Sequence, residues 1–173
     1  KHYDNKEYGE ALEMYAKALE VRKAVHGEGS PQVASTLGNM AVVYRCQGDY
    51  SKALQVYGES LEIYKAALGP KHDEVGRTLG NKALVYESQG DHSKALQIYA
   101  EALAIRKAAL GENHADVGDA LYNMAGVHAN QGKFQEALQV YEQSAAVYEQ
   151  CYGPDHKETR DAKAQAEACR RKC

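Results

Sequence analysis

Three histidines, His72, His114 and His156, recur 42 residues apart, and imidazole is both a proton carrier near neutral pH and the commonest metal ligand. Their spacing argues against either use. Equivalent side chains in stacked helical units sit about 10 Å or more apart, because packed helices lie about 8–10 Å from one another. Zinc ligands must converge to roughly 2 Å from one ion. Connector packing or helix capping is the reading that fits. Cys169 and Cys173 lie four apart, on one face if helical, yet no second pair of ligands has suitable spacing. With Cys46 and Cys151 they are read as reduced thiols, since 173 residues can bury a core without disulfide staples. No phosphate loop, nucleophile motif or dinucleotide fingerprint is visible. The carboxylates of Glu59, Glu62, Glu101 and Glu142 follow exposed helical faces. The expectation is a chain that is not an enzyme and uses no cofactor and no metal.

Three asparagines, Asn39, Asn81 and Asn123, share the same period and suit recognition better than reaction. Each carboxamide offers a donor and an acceptor, which is what an extended peptide backbone needs. The alternative is that each bonds a neighbouring helix and sets the geometry between units. Bulk properties narrow the partner. The net charge of −3 gives no strongly basic surface for nucleic acid or an anionic membrane. The basic run Arg170-Arg171-Lys172 sits at a terminus without aromatic residues interleaved. No apolar run approaches the roughly 20 residues that cross a bilayer. With its cysteines read as reduced, the chain is expected to be cytoplasmic.

Internal repetition organises the whole chain. HGEGSPQV (26–33), LGPKHDEV (68–75), LGENHADV (110–117) and YGPDHKET (152–159) align without gaps at a period of 42 residues. TLGNMAVVY (36–44), TLGNKALVY (78–86) and ALYNMAGVH (120–128) follow the same period, as do ALEMYAKALEVRK (11–23), ALQVYGESLEIYK (53–65), ALQIYAEALAIRK (95–107) and ALQVYEQSAAVYE (137–149). Each unit reads as two helices. Val33, Leu37, Met40, Ala41 and Tyr44 form one stripe of the first. Gly48, Gly90 and Gly132 stand where such helices end. The second helix spans roughly 50–68, with Ala53, Leu54, Tyr57, Leu61 and Tyr64 on its buried side. Ser30 before Pro31 predicts a helix start with a capping hydroxyl.

The expected architecture is all-α, a solenoid of stacked helix–turn–helix units. Residues 1–26 form a partial unit that opens near the end of a first helix. Residues 27–68, 69–110 and 111–152 each carry a connector and a full pair, and 153–173 form a capping helix. We count about seven helices in one array. In AKAQAEACR (162–170) the apolar positions become Lys163, Glu167 and Arg170, which is how a solenoid stops stacking.

Asn39-Met40-Ala41, Tyr44, Gly48-Asp49-Tyr50, Ala53 and Tyr57 resemble the tetratricopeptide consensus. That repeat usually takes about 34 residues; the longer period here, with its Leu-Gly-x-x-His-x-x-Val connector, is similar to the tetratricopeptide domain of kinesin light chains. The resemblance implies a right-handed α-solenoid acting as a protein-interaction scaffold, with a motor or cytoskeletal complex among its partners. It also implies a concave groove, lined by the first helices, that receives short extended cargo peptides. The asparagines then bond peptide backbone. Relatives usually carry proline after the connector histidine, which is missing here, and the groove face is not uniformly basic.

Helical spacing from Asn39 places Ser35, Gly38, Val42, Arg45 and Cys46 on the inner face of the first full pair. Arg77, Gly80, Asn81, Leu84, Glu87 and Ser88 follow in the second, and Asp119, Tyr122, Asn123, Gly126 and Asn130 in the third. The candidate peptide-binding residues are Asn39, Val42, Arg45, Arg77, Asn81, Leu84, Tyr122, Asn123 and Asn130. Gly38 and Gly80, costly inside helices, either leave room for a ligand anchor or relieve crowding. A second use is structural: an apolar flank near Tyr8, Leu12 and Tyr15 offers a route to self-association, so that the chain serves as a subunit of a larger assembly.

Overall fold

The computed structural model describes residues 5–173. They form eight helices: α1 (Asn5–His26), α2 (Pro31–Cys46), α3 (Tyr50–Leu68), α4 (Asp73–Ser88), α5 (His92–Leu110), α6 (Ala115–Asn130), α7 (Phe134–Tyr152) and α8 (Lys157–Arg170). The expected count was one short, because an unpaired helix, three pairs and a capping helix make eight. The reading of residues 1–4 as the end of a preceding helix lies outside the described residues.

Local signals set the helix ends. Gly48, Gly90 and Gly132 adopt φ of 79°, 79° and 75°, which a side chain resists, and let the chain reverse within a pair. Asp49 and Asp91 then cap α3 and α5 by accepting the N–H of Lys52 and Lys94, each at 3.1 Å. The connector histidines are caps too. Nδ1 of His72 accepts the N–H of Glu74 at 3.3 Å, and Nδ1 of His114 that of Asp116 at 3.2 Å. His156 holds the same position without a cap bond; its Nδ1 lies 2.7 Å from Glu158 Oε2. Ser30 is the N-cap residue of α2 and Pro31 the first helical residue, but the serine hydroxyl makes no cap bond and is buried without a partner.

The helices associate along the chain, with α2/α3, α4/α5 and α6/α7 as intimate pairs and looser contacts between pairs. Val33, Leu37 and Ala41 of α2 and Ala53, Tyr57, Leu61 and Tyr64 of α3 are buried as their periodicity requires. The abundance of tyrosine has its source here: Tyr57, Tyr99 and Tyr141 occupy one buried register of the second helices. Two glycines set how closely a pair can approach. A methyl group on Gly76 would fall 2.9 Å from Arg106 Cγ, and one on Gly118 would fall 2.7 Å from Tyr148 Cε1.

Alanine does the same for α8. Ala162, Ala166 and Cys169 of α8 are buried, and α8 packs more closely on α7 than the other first helices do on the second helix before them. Its far side is polar. Lys163 pairs with Glu149 at 2.8 Å, and Arg170 with Glu142 at 2.7 Å and Glu167 at 2.8 Å.

Candidate functional site

The first helices α2, α4, α6 and α8 line the inner face of the array, and the side chains between them form a row of clefts. The central cleft, between α4 and α6, encloses about 280 Å³. Arg77, Gly80, Asn81 and Leu84 line it from α4, and Asp116, Asp119, Ala120 and Asn123 from α6. Four of the candidate residues therefore meet in one place. The stripe predicts this, since each pair recurs at i, i+3 or i+4 on its helix and at the 42-residue period on the next.

The floor of that cleft comes from a helix that the inner-face reading left out. Arg106 of α5 is buried, 9% exposed, and Nη1 donates to the backbone carbonyl of Asp116 at 2.7 Å. Among the described residues its Nε is buried without a hydrogen-bond partner, no carboxylate lies within ion-pair distance, and Nη2 makes no hydrogen bond. Nη2 stays open because residue 80 is glycine: a methyl group there would sit 3.9 Å from it, in ordinary contact. Gly38 likewise would meet only Ser60 Oγ, at 3.8 Å. Crowding explains Gly76 and Gly118, whereas Gly38 and Gly80 are spared side chains without steric need. A sequence signal for Arg106 does exist. Residues 22, 64, 106 and 148 share one register and read Arg, Tyr, Arg, Tyr. Arg22 repeats the behaviour at the edge of the array, donating to the Gln32 carbonyl at 3.0 Å and to Thr36 Oγ1 at 2.8 Å.

The other candidates lie apart from the central cleft. Arg77 also borders a cleft with Arg22, Ser35 and Tyr64, and its guanidinium pairs with Glu74 across one turn. Tyr122 turns to the next cleft along, beside Tyr148, Lys157, Glu158 and Asp161, and sets its ring edge-on to Tyr141 at 5.2 Å. Asn130 donates to Glu87 Oε1 at 3.3 Å and so ties α6 to α4. Tyr99 of α5 donates to Glu87 Oε2 at 3.4 Å. Burial pushes the Glu87 carboxyl above its ordinary range, and the Tyr99 hydroxyl, His92 and Arg45 offset part of that rise. Arg45 is half-buried and near enough for its charge to act on Tyr57, Glu87 and Tyr99. Asn39 is exposed and makes no hydrogen bond. Val42 faces α1, in an apolar cleft with Met14, Tyr15 and Val43. The nine candidates thus divide among several places rather than forming one continuous line.

Helix pairs stacked at a fixed period, with caps, close-packed alanines and an inner face of this kind, define a helical-repeat scaffold. The family model of the tetratricopeptide repeat matches residues 2–66, 52–108 and 109–172, and the chain belongs to that family. No curated protein matches. Among solved structures, the chain is similar to a kinesin light chain-like protein of Podosopora anserina with nearly identical TPR-like repeats. The two are 17% identical with a TM-score of 0.76, over 97% of this chain and 80% of that one. It is also similar to BtubC (BKLC) of P. vanneervenii, at 18% identity and a TM-score of 0.72 over 95% of this chain and 74% of that one. At such identities the likeness concerns the fold, a right-handed all-α solenoid of the kinesin light chain-like kind. Among the described residues no helix is long and apolar enough to cross a membrane.

Proposed function

We propose that this protein-interaction scaffold holds an extended segment of a partner protein across its first helices, as a cytoplasmic adaptor of the cargo-binding kind serving a motor or cytoskeletal complex. The central cleft carries the reading. Asn81 and Asn123 face one another across about 280 Å³ with no hydrogen bond of their own, so both carboxamides are available to a peptide backbone. The fold's likeness to a kinesin light chain-like protein supports the adaptor role. Random twelve-residue peptides displayed on phage and selected on the intact chain test it. Peptides so obtained should lose at least tenfold in affinity on Asn81→Ala plus Asn123→Ala, with helicity and Tm unchanged. Equal affinity for the double variant would end the groove reading.

A second reading, a subunit of a larger assembly, draws on α1. Met14, Val21 and Val25 are 73%, 62% and 68% exposed and fall on one stripe beside the apolar cleft that holds Val42. The exposed stripe differs from the flank expected from sequence, because Tyr8, Leu12 and Tyr15 are half-buried. Sedimentation at rising concentration tests self-association: Met14→Asp should abolish it, and a strict monomer in the parent chain removes the reading.

A further inference from the structure

The clefts along the inner face differ in their charged groups, and we infer that the bound segment is bipolar: a carboxylate seated over Arg106 and, three or more residues along, a lysine or arginine seated against Tyr122 beside Asp161. The inference rests on the groove reading above and adds the chemistry of the occupant.

The first half of the pair comes from Arg106. A guanidinium always carries its charge, and burying one without a carboxylate partner is costly. Here it is 9% exposed, holds one backbone carbonyl, and leaves Nη2 facing the cleft under Gly80. Arg77, on the same wall, is already paired with Glu74. Asp116 and Asp119 line the same cleft but neither pairs with Arg106, and Asp119 accepts the Tyr148 hydroxyl; a ligand carboxylate is the group that satisfies Nη2 with a charge-assisted bond.

The cleft between α6 and α8 has the opposite character. It is lined by the half-buried Tyr122, the buried Tyr148 ring and the carboxylates of Glu158 and Asp161. Asp119, at the mouth shared with the central cleft, accepts the Tyr148 hydroxyl at 2.6 Å. Glu158 Oε2 lies 2.7 Å from His156 Nδ1, and Lys157, 74% exposed, pairs with Asp161 at 3.0 Å. Aromatic faces flanked by carboxylates take a cationic side chain. A ligand cation would displace the solvated lysine from Asp161. Position 80 is glycine where position 122 is tyrosine, so the same register opens a guanidinium in one cleft and supplies an aromatic wall in the next. Directly packed helices lie about 8–10 Å apart, first helices lie no closer than that, and an extended chain advances about 3.3 Å per residue, which sets the separation at about three residues or more.

The random-peptide selection described above tests this when its enriched sequences are read for charge. Acid and base should recur at one fixed spacing of about three positions or more. In synthesised winners, Arg106→Met, which keeps the buried stem, should cancel the advantage of the peptide's acid over its amide. Asp161→Arg, on an exposed site, should weaken binding at least tenfold and cancel the advantage of the peptide's base. Lys157→Gln should tighten binding severalfold. Should Arg106→Met lose helicity, the two exposed variants decide alone. Winners that depend on Asn81 and Asn123 but show no such spacing, or bind Asp161→Arg unchanged, overturn the bipolar pairing and leave the groove standing. Winners indifferent to the asparagine double variant overturn both.

Discussion

Half-buried Glu87 of α4 accepts hydrogen bonds from Tyr99 and Asn130, and its desolvation has a cost. A carboxyl whose folded value lies above the unfolded 4.5 is less costly to the fold when protonated, so its penalty is absent below that value and present as pH rises through the higher folded value. Glu87→Gln is therefore expected to raise Tm at neutral pH, with the gain fading as pH falls towards 4 (about the ordinary glutamate range); thermal melts across that range check it. The two kinds of glycine make a paired prediction. Gly80→Ala meets nothing closer than 3.9 Å and gains helix propensity, so it should stabilise by about 0.5–1 kcal/mol. Gly118→Ala puts a methyl group against the buried Tyr148 ring and should destabilise by about 1–3 kcal/mol. Urea midpoints of the two variants should move in opposite directions. Arg77, Asn81, Leu84 and Asn123 were legible as one cleft because they lie on stripes that the period superposes. Arg106 was not, since inner-face counting looks only at first helices, and its residue sits in a register that Tyr64 and Tyr148 make look like core.

At the level of helices, the punctuation was nearly all readable. Gly48, Asp49 and Tyr50 mark a helix end, a cap and a new start, and α3 begins and closes where its apolar stripe says. Ser30 shows the limit. Its hydroxyl is buried without a partner and caps no amide, while the Ser30 backbone carbonyl accepts the N–H groups of Val33 and Ala34. The third pair breaks its own rule: Lys133 stands where Asp49 and Asp91 cap, and α7 has no side-chain cap bond. Lys133→Asp should restore one and stabilise by about 1 kcal/mol, visible as a raised Tm without a change in helicity at room temperature. Alanine at 162 and 166 could be seen in the sequence as helical, but not that it draws α8 closer to α7.

Across the whole molecule, stability is assembled from neighbour to neighbour, as in other repeat arrays. At the ends of the described residues α1 packs mainly on α2 and α8 mainly on α7, whereas α4, α5 and α6 are each held on two sides. Amide hydrogen exchange should accordingly be fastest in α1 and slowest in α4 and α5; uniform protection along the chain would contradict the one-dimensional picture. The split of candidate residues among separate clefts also belongs to this scale. Period alone places Asn39 and Asn81 in equivalent positions, but each cleft takes its character from the second helix beneath it and the first helix beyond, and those change from pair to pair.

The sequential packing also bears on stiffness. Neighbouring first helices share few direct contacts, so the spacing between them is governed by the second helices behind, and the inner face can breathe like the open side of a spring. A segment laid across α4, α6 and α8 would act as a strut on that open side, supplying links between parts of the chain that otherwise communicate only through their backs. Occupancy would then be felt as rigidity of the entire coil.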